Sequence, residues 1–264
     1  MKTLQKLNNS KFRRSSRGLL LLSAIVASAA FLPQAGASLL NSADTFAVLA
    51  NTTITSTGAT VLNGNLGVTP GTAITGFPPG TVTGTTYNGV NAVVVQAMAD
   101  ANTAYTTLAG ETPTANLTGQ DLGGLSLTNG VYAFSSSAGL TGALILNGLG
   151  NTNSQFVFQI GSTFTSASNA SILLENGASA SNVFWQVGSS ATFGTTSSLE
   201  GSFLAYSSIT FDTSSTLVGS AIALNGAVTL DNNTVAAVPE PKSYALFGLG
   251  ALVLVALYRR KTAE

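Results

Sequence analysis

An internal repeat near the C-terminal end constrains the fold of this chain more than any other feature. Residues 191–201, ATFGTTSSLEG, align with residues 209–219, ITFDTSSTLVG, at a shift of 18 residues, and Val228 begins a further copy after 19 more. A period of this size is typical of solenoids whose coils consist of short strands joined by turns. The repeat therefore predicts a mainly β protein, a three-sided β-helix.

The rest of the region 38–237 fits the same architecture. Apart from one segment, short runs of alternating apolar and small polar residues are broken by Gly and Asn, which predicts strands and turns. Phe164 precedes Phe193 by 29 residues, which we interpret as a coil with an insertion at about 174–182. The exception is 91–108, where Asn91 is suited to cap a helix and apolar residues recur every three or four positions: Val94, Met98, Ala101, Tyr105 and Leu108. We expect one long α-helix here, packed alongside the strands.

Charge is nearly absent from this region. Only 8% of all residues are charged, and no Lys or Arg lies between Gly18 and Pro241. Because neutralising phosphates requires Lys or Arg, we expect no binding to nucleic acid. The chain also has no His and no Cys, so the usual general bases, nucleophiles and thiolate ligands are missing. We therefore predict a protein that acts through its surface and not as an enzyme, with no cofactor and no metal.

Two sets of polar residues offer alternatives to this interpretation. Glu175 and Glu200 invite comparison with the paired carboxylates of glycosidases, but alternation places the single Trp185 inside the solenoid, and no aromatic-lined cleft is evident. The segments 147–153 and 231–233 contain oxygen ligands of the kind that calcium prefers. Asn and Asp in turns more often bond to their own backbone, so we expect turns here and no metal site.

The N-terminal segment 1–37 is typical of a secretory signal peptide. A basic stretch ends at Arg17, an apolar run follows over 18–32, and Ala35-Gly36-Ala37 forms a small-x-small cleavage site. The apolar run is short for a membrane span, which favours cleavage near Ala37 over an uncleaved anchor.

The C-terminal segment 238–264 has a tripartite order. Pro239, Glu240 and Pro241 precede an apolar run over 244–258, and Arg259-Arg260-Lys261 follows. This arrangement resembles the PEP-CTERM sorting signal of Gram-negative bacteria. The resemblance implies an exosortase-like sorting protease as a partner, a transient membrane anchor formed by the apolar helix, and a final location in the cell envelope or outside the cell. The alternative is a plain tail-anchored helix.

Strand alternation divides the repeat into inward and outward residues. With Phe193, Phe211 and Leu230 inside, Thr192, Thr210 and Thr229 lie outside and stack as a ladder. Such positions recur at about 4.8 Å between strands and about 6.6 Å along a strand, so the face is a regular array of methyl and hydroxyl groups that can hold an ordered first layer of water. The alternative is the general preference of Thr for exposed strand positions. The predicted face comprises Thr53, Thr55, Thr163, Ser190, Thr192, Ser208, Thr210, Ala227 and Thr229, with Thr163 assigned as the equivalent of Thr192 one coil earlier.

Seven stretches with a common resemblance run in order along the domain: 46–50, 63–68, 71–80, 130–132, 156–161, 183–188 and 230–234. Together they resemble the microbial ice-binding protein family known as DUF3494. The resemblance implies a right-handed triangular β-helix with one long helix alongside, and a flat, charge-poor face of Thr, Ser and Ala that adsorbs to the surface of an ice crystal. Short Thr-Gly/Ala-x-Thr motifs mark this face in some members, and segments 57–60 and 72–75 have that form.

Two departures from the family pattern bear on the expected activity. Ala143 and Ile145 stand at outward positions where many members carry Thr, and Asp212 and Asp231 lie beside the ladder. A carboxylate holds water in an arrangement unlike that of ice, so we expect these residues to weaken binding. The alternative function is a structural or adhesive component of the cell envelope or exopolysaccharide matrix that uses the same fold.

Overall fold

The computed structural model describes residues 38–238 and confirms a mainly β solenoid with one long helix. The predicted signal peptide and the apolar run over 244–258 lie outside these residues, as do the helices expected in them. Within 38–238, no helix combines the length and the apolar character needed to cross a lipid bilayer.

Strands β1 to β24, numbered along the chain, form three sheets, A, B and C, in which all neighbours are parallel. Sheet A contains β1 (Phe46–Ala50), β4 (Asn65–Val68), β7 (Thr86–Asn88), β8 (Ala115–Asn116), β10 (Gly130–Phe134), β13 (Phe156–Ile160), β16 (Val183–Val187), β19 (Ser202–Ala205) and β22 (Ala221–Ala223). Sheet B contains β2 (Thr53–Thr57), β5 (Ala73–Thr75), β11 (Ala138–Leu140), β14 (Phe164–Ser166), β17 (Ala191–Phe193), β20 (Ile209–Phe211) and β23 (Val228–Asp231). Sheet C contains β3 (Val61–Asn63), β6 (Thr81–Val82), β9 (Ser126–Leu127), β12 (Ala143–Asn147), β15 (Ser171–Glu175), β18 (Ser198–Glu200), β21 (Thr216–Val218) and β24 (Thr234–Ala236).

Each full coil visits the three sheets in the order A, B, C, and the 18-residue repeat is one such coil. Ala191 pairs with Ile209 and Ser198 with Thr216, as the repeat predicted. Successive coils use the same turn from sheet B to sheet C. Thr196 and Ser214 stand at equivalent positions in this turn and adopt positive φ values of 57° and 61°. Residues in this conformation reverse the chain tightly, which keeps the coils short.

The coils do not stack in chain order. In sheet A the order is β7-β4-β1-β22-β19-β16-β13-β10-β8, so the first coil, β1–β3, lies against the last coil, β22–β24. The second coil, β4–β6, then lies at one end of the solenoid, where β7 adds a last strand to sheet A, and the partial coil containing β8 and β9 caps the other end. A connection from one end to the other is therefore required between β7 and β8.

Helix α1 (Ala92–Gly110) makes this connection. Its N-cap is Asn91, whose side-chain oxygen accepts a hydrogen bond from the Val93 N–H at 2.9 Å, as the sequence predicted. The helix is about 28 Å long, and nine strands span about 38 Å, so it covers most of the length of sheet A. Its apolar side packs on Phe46, Leu49, Val157 and other outward residues of that sheet.

The interior between the three sheets is filled by inward residues of every coil. Trp185 lies inside, as alternation predicted, and stacks between Phe158 and Phe203 with ring-centroid distances of 3.9 and 4.9 Å. Its indole N–H donates to the Glu200 carbonyl at 3.0 Å, so the one polar atom of this ring is paired. Two short 3-10 helices, Asn41–Thr45 and Ala180–Asn182, complete the described structure.

We call the outer surfaces of the three sheets face A, face B and face C. Helix α1 covers face A, where the residues of β1 and β16 are buried on both sides of the sheet. Faces B and C have no such cover among the described residues. These two faces are therefore the candidates for contact with a ligand.

Candidate functional site

A column of threonines runs along the middle of face B. In it, Thr192 pairs with Thr210, and Thr229 pairs with both Thr210 and Thr55. Because the sheet is parallel and its neighbours are in register, the side chains repeat at about 4.8 Å. We call this set the central column, and across the seven strands of sheet B it comprises Gly139, Thr165, Thr192, Thr210, Thr229, Thr55 and Thr75.

The six threonine hydroxyls of the central column are available to water. Thr55, Thr75, Thr165 and Thr229 are exposed and the other two are half-buried, while their strand neighbours point into the core. None of the six hydroxyls is hydrogen-bonded to another residue within 38–238. A column of hydroxyls with no protein partner can donate to and accept from an ordered layer of water.

Face B carries a second column of side chains. In each strand of sheet B it is formed by the first residue of the strand or by the residue just before it. Ser190 and Ser208 stand next to each other here, and their hydroxyls accept hydrogen bonds from the N–H groups of Ser208 and Ala227 at 3.4 and 3.2 Å. These bonds orient the serine side chains along the column. We call this set the leading column, and it comprises Ser137, Thr163, Ser190, Ser208, Ala227, Thr53 and Ala73.

The predicted equivalence of Thr163 and Thr192 is wrong. Phe164 pairs with Ala191, so Thr165 is the residue in register with Thr192. Thr163 points outward on face B, but its neighbour in the next coil is Ser190 in the leading column. The sequence alignment had superposed Phe164 on Phe193, whereas the core pairs a large side chain with a small one at this step.

All nine residues predicted for the face do lie on face B, divided between the two columns. The sequence missed Thr165 and Thr75, which extend the central column at its two ends. The motif 72–75 contains Thr75 and was a usable signal for it. The motif 57–60 was a poorer one, because Thr60 is buried and its hydroxyl is hydrogen-bonded to Ser56 at 2.8 Å.

The carboxylates expected beside the ladder lie at the edge where face B turns into face C. Asp231 accepts a hydrogen bond from the Thr57 hydroxyl at 2.7 Å and another from the Thr213 hydroxyl. The bonds from Thr213 and Thr57 lower the pKa of the Asp231 carboxyl. Asp212 stands beside it in the next coil and is exposed, without a side-chain hydrogen bond to any described residue.

Face C has a different character. Ala143 and Ile145, which appeared to interrupt the ladder, belong to β12 and therefore to this face. Leu173 and Val218 are exposed here by 45% and 39%, and the Glu200 side chain lies on the strand between theirs. Burial among these neighbours raises the pKa of Glu200 to about 7. Face C therefore presents large apolar groups and a carboxyl where face B presents Thr.

The Asn-rich segments form hydrogen-bonded turns. The Asn147 side-chain oxygen accepts from the Leu149 N–H at 2.9 Å, and that of Asn151 accepts from the Asn153 N–H at the same distance. Asn233 is buried, and its amide donates to the Asp212 carbonyl at 2.8 Å. The bonds of Asn147 and Asn151 are those expected of Asx turns, whereas the bond of Asn233 joins neighbouring coils.

Comparison with known proteins gives consistent matches. The family profile described as Ice-binding-like matches residues 48–236, and the PEP-CTERM protein-sorting motif matches residues 237–261. An ice-binding protein of Nostoc sp. (strain HG1) is 47% identical over 262 residues, which cover 93% of this chain and 97% of that protein.

Solved structures agree with the sequence relatives. The ice-binding protein of the Antarctic ascomycete Antarctomyces psychrotrophicus matches with a TM-score of 0.74 and 42% identity, over 76% of this chain and 98% of that one. An ice binding protein from an Antarctic Biological Consortium matches with a TM-score of 0.73 and 46% identity, over 75% and 89% of the two chains. Both the profile and the Nostoc relative span most of the chain, and the protein belongs to the Ice-binding-like family.

Proposed function

We propose that this protein is exported and adsorbs to ice through face B, where it inhibits the growth or the recrystallisation of ice crystals. The observation that carries the proposal is the central column, in which six threonines stand in register and their hydroxyls have no hydrogen-bond partner among residues 38–238. The names of the relatives reported above support the same ligand, since all three are ice-binding proteins.

The chemistry of face B is suited to a crystal surface. Charged groups hold water strongly and in their own geometry, whereas Thr hydroxyls hold it weakly enough to follow a lattice. The methyl groups beside them favour an ordered layer over a disordered one. The columns repeat at about 4.8 Å in one direction and about 6.6 Å in the other, a spacing that approximates the repeats of water in ice.

Adsorption of this kind acts without catalysis. A bound molecule holds back the crystal surface beneath it, so new ice must grow as a curved front between neighbouring molecules. A curved front is less stable than a flat one, which lowers the temperature at which growth proceeds. The protein therefore needs a stable surface and many simultaneous weak contacts, and a rigid solenoid supplies both.

The matched sorting motif supports export and sorting to the cell surface. In this proposal an exosortase-like protease of a Gram-negative bacterium processes the chain near Pro239, Glu240 and Pro241, after a transient stay of the apolar C-terminal segment in the membrane. The signal peptide 1–37 would direct the first step. The domain that remains for binding is 38–237.

A structural or adhesive role in the envelope matrix is the weaker alternative. It would require no regularity on face B beyond the usual occurrence of Thr on strands. The relatives that match over most of their length are named for ice binding, and this favours ice as the ligand.

Inhibition of ice recrystallisation by the purified segment 38–238 tests the proposal. This segment holds both hydrophobic clusters, and its counterpart amounts to 98% of the solved Antarctomyces chain, so we expect it to fold alone. Thr192→Tyr and Thr210→Tyr each place a ring in the middle of the central column. Each should raise the concentration needed for inhibition about tenfold or more, as for a bulky residue at the centre of an interface.

Thr216→Tyr is the matched control. Thr216 is an outward threonine of face C in the same coil as Thr210, and it pairs with Ser198 and Thr234. This variant should inhibit recrystallisation as the parent does, with the same melting temperature as the two face B variants. An inactive parent protein would exclude ice as the ligand, and equal activity of all three variants would exclude face B.

A further inference from the structure

The described chain ends at the corner of the solenoid where face C turns into face A. β24 ends at Ala236 in sheet C, and the Ala237 N–H donates to the Asn63 carbonyl at 2.9 Å. In the neighbouring coil, the Gly219 N–H donates to the Ala236 carbonyl at 2.8 Å. Ala237 is thus fixed in the same corner position that Gly64 and Gly219 occupy in the coils on either side.

The packing at this corner is tight. A Cβ atom placed on Gly64 would lie 2.9 Å from the Cβ of Ala237 and 3.1 Å from the Ala47 nitrogen. The start of β1 and the end of β24 therefore meet at one point, with Gly64 between them. The segment that precedes β1 approaches the same corner, since the Thr45 hydroxyl accepts from the Asn65 amide at 3.0 Å.

After Ala237 the chain cannot continue around the solenoid. The next position would lie in sheet A between β22 and β4, and β1 already fills it: Val48 pairs with Ala221 on one side and with Leu66 on the other. Within the described solenoid, no strand position next to Ala237 is therefore open. The sorting motif match begins at residue 237, so there is no spacer between the last strand and the motif.

In a three-sided solenoid, the corner between faces A and C is opposite face B. We infer that the protein is attached to the cell through this corner and that the attached domain holds face B outward, so that a cell-bound copy presents the central column to its surroundings. The inference rests on the proposed function for its ligand, but the orientation depends only on the point of attachment. With this orientation, the cell-attached protein can bind ice as well as a released one can.

Labelling on whole cells tests the orientation without ice. The natural chain has no Cys, so each single-Cys variant of the full chain has one reactive site. Thr229→Cys lies on face B and Asn63→Cys lies beside the attachment corner, and both positions are exposed in the isolated domain. A bulky maleimide that does not cross membranes should label Thr229→Cys several-fold more than Asn63→Cys on cells, and both equally after extraction. Equal labelling on cells, or the reverse order, would overturn the inference.

Ice adsorption by coated beads tests the consequence. Residues 38–239 with Pro239→Cys are coupled to beads through the attachment corner, and residues 38–238 with Thr165→Cys are coupled through face B. Growing ice should retain the first set of beads and not the second, while the uncoupled Pro239→Cys protein inhibits recrystallisation as the parent does. If the uncoupled Pro239→Cys protein inhibits recrystallisation and its beads are not retained, the orientation is wrong. If the uncoupled protein is inactive, the proposed function fails, and the labelling on cells alone decides the orientation.

Discussion

Faces B and C are built by the same coils and differ only in what their outward positions carry. Both lie on parallel sheets of two-residue to five-residue strands above one shared core. Face B carries Thr in six consecutive strands, whereas the corresponding run on face C includes Ile145, Leu173, Glu200 and Val218. The solenoid therefore tolerates large and charged outward residues. The threonine column is a property of one face and not a requirement of the fold.

The largest expected effect should be the same for both faces, because it concerns the core beneath them. Ile209→Ala removes a buried side chain under face B and Leu217→Ala removes one under face C of the same coil. Each should lower the free energy of unfolding by about 2–5 kcal/mol, measured by denaturant titration. A large difference between the two would mean that the faces differ in their support and not only in their surface.

Removal of a single Thr hydroxyl should have a smaller effect, and it should lower the inhibition of ice recrystallisation on face B only. Thr229→Val keeps the shape of a central-column residue and removes its hydroxyl, and Thr216→Val does the same on face C. We expect the face B variant to inhibit ice recrystallisation several-fold less well, and the face C variant to match the parent. Neither should change stability by more than about 0.5 kcal/mol, since both are surface substitutions. Equal activity of the two variants would assign the binding to methyl groups alone.

The carboxyl on face C should give a pH dependence of modest size. Burial raises the pKa of Glu200 to about 7, so the folded protein holds this proton more tightly than the unfolded chain. Stability should therefore fall as the pH rises from about 4.5 to about 7, on the order of 1 kcal/mol after solvent screening. Glu200→Gln should remove this slope from thermal unfolding curves. Recrystallisation activity should not change, because the residue is not on face B.

The smallest effect should come from Asp231 at the edge of face B, where the dependence of stability on pH should have the opposite sign to that of Glu200. Hydrogen bonds from Thr213 and Thr57 lower the pKa of Asp231, so its contribution to stability is present at neutral pH and is lost as the pH falls through the folded-state pKa. Asp231→Asn should flatten the acid limb of the unfolding curves. Thr213→Val, which removes one of the two hydroxyl donors and keeps the carboxyl, should flatten that limb in part. An acid limb unchanged by both substitutions would contradict the role of the two threonine hydroxyls.

The repeat made most of the fold predictable, because its two clear copies pair as expected at Thr192 and Thr210. The helix could also be predicted, since its cap and apolar spacing are local signals. The register of Phe164 could not, because loop lengths vary and the core offsets its large side chains: Phe164 packs beside Ala191 and meets Phe193 edge-on at 6.2 Å. Alignment by residue type is misled by such an arrangement.

The position of the first two coils could not be predicted from the sequence, for a different reason. Nothing local in Thr55 or Thr75 indicates that their strands stack against the last coil and not against the third. That order depends on a helix long enough to carry the chain past every other coil. The central column was therefore predicted at Thr192, Thr210, Thr229 and Thr55, without the order of their strands, and Thr165 and Thr75 at its two ends were missed.

The stacking of the first coil on the last one also sets the order of assembly during export. Thr55 and Thr75 are made early, but the strand that joins them to Thr210 is β23, which leaves the ribosome near the end of synthesis. The N-terminal coils must wait for it, and such a distant pairing is slow to form. The complete face exists only once β23, which ends at Asp231, has crossed the membrane, a few residues before the sorting motif begins at residue 237. A chain that stops before β23 would carry two separate pieces of the surface and no continuous one.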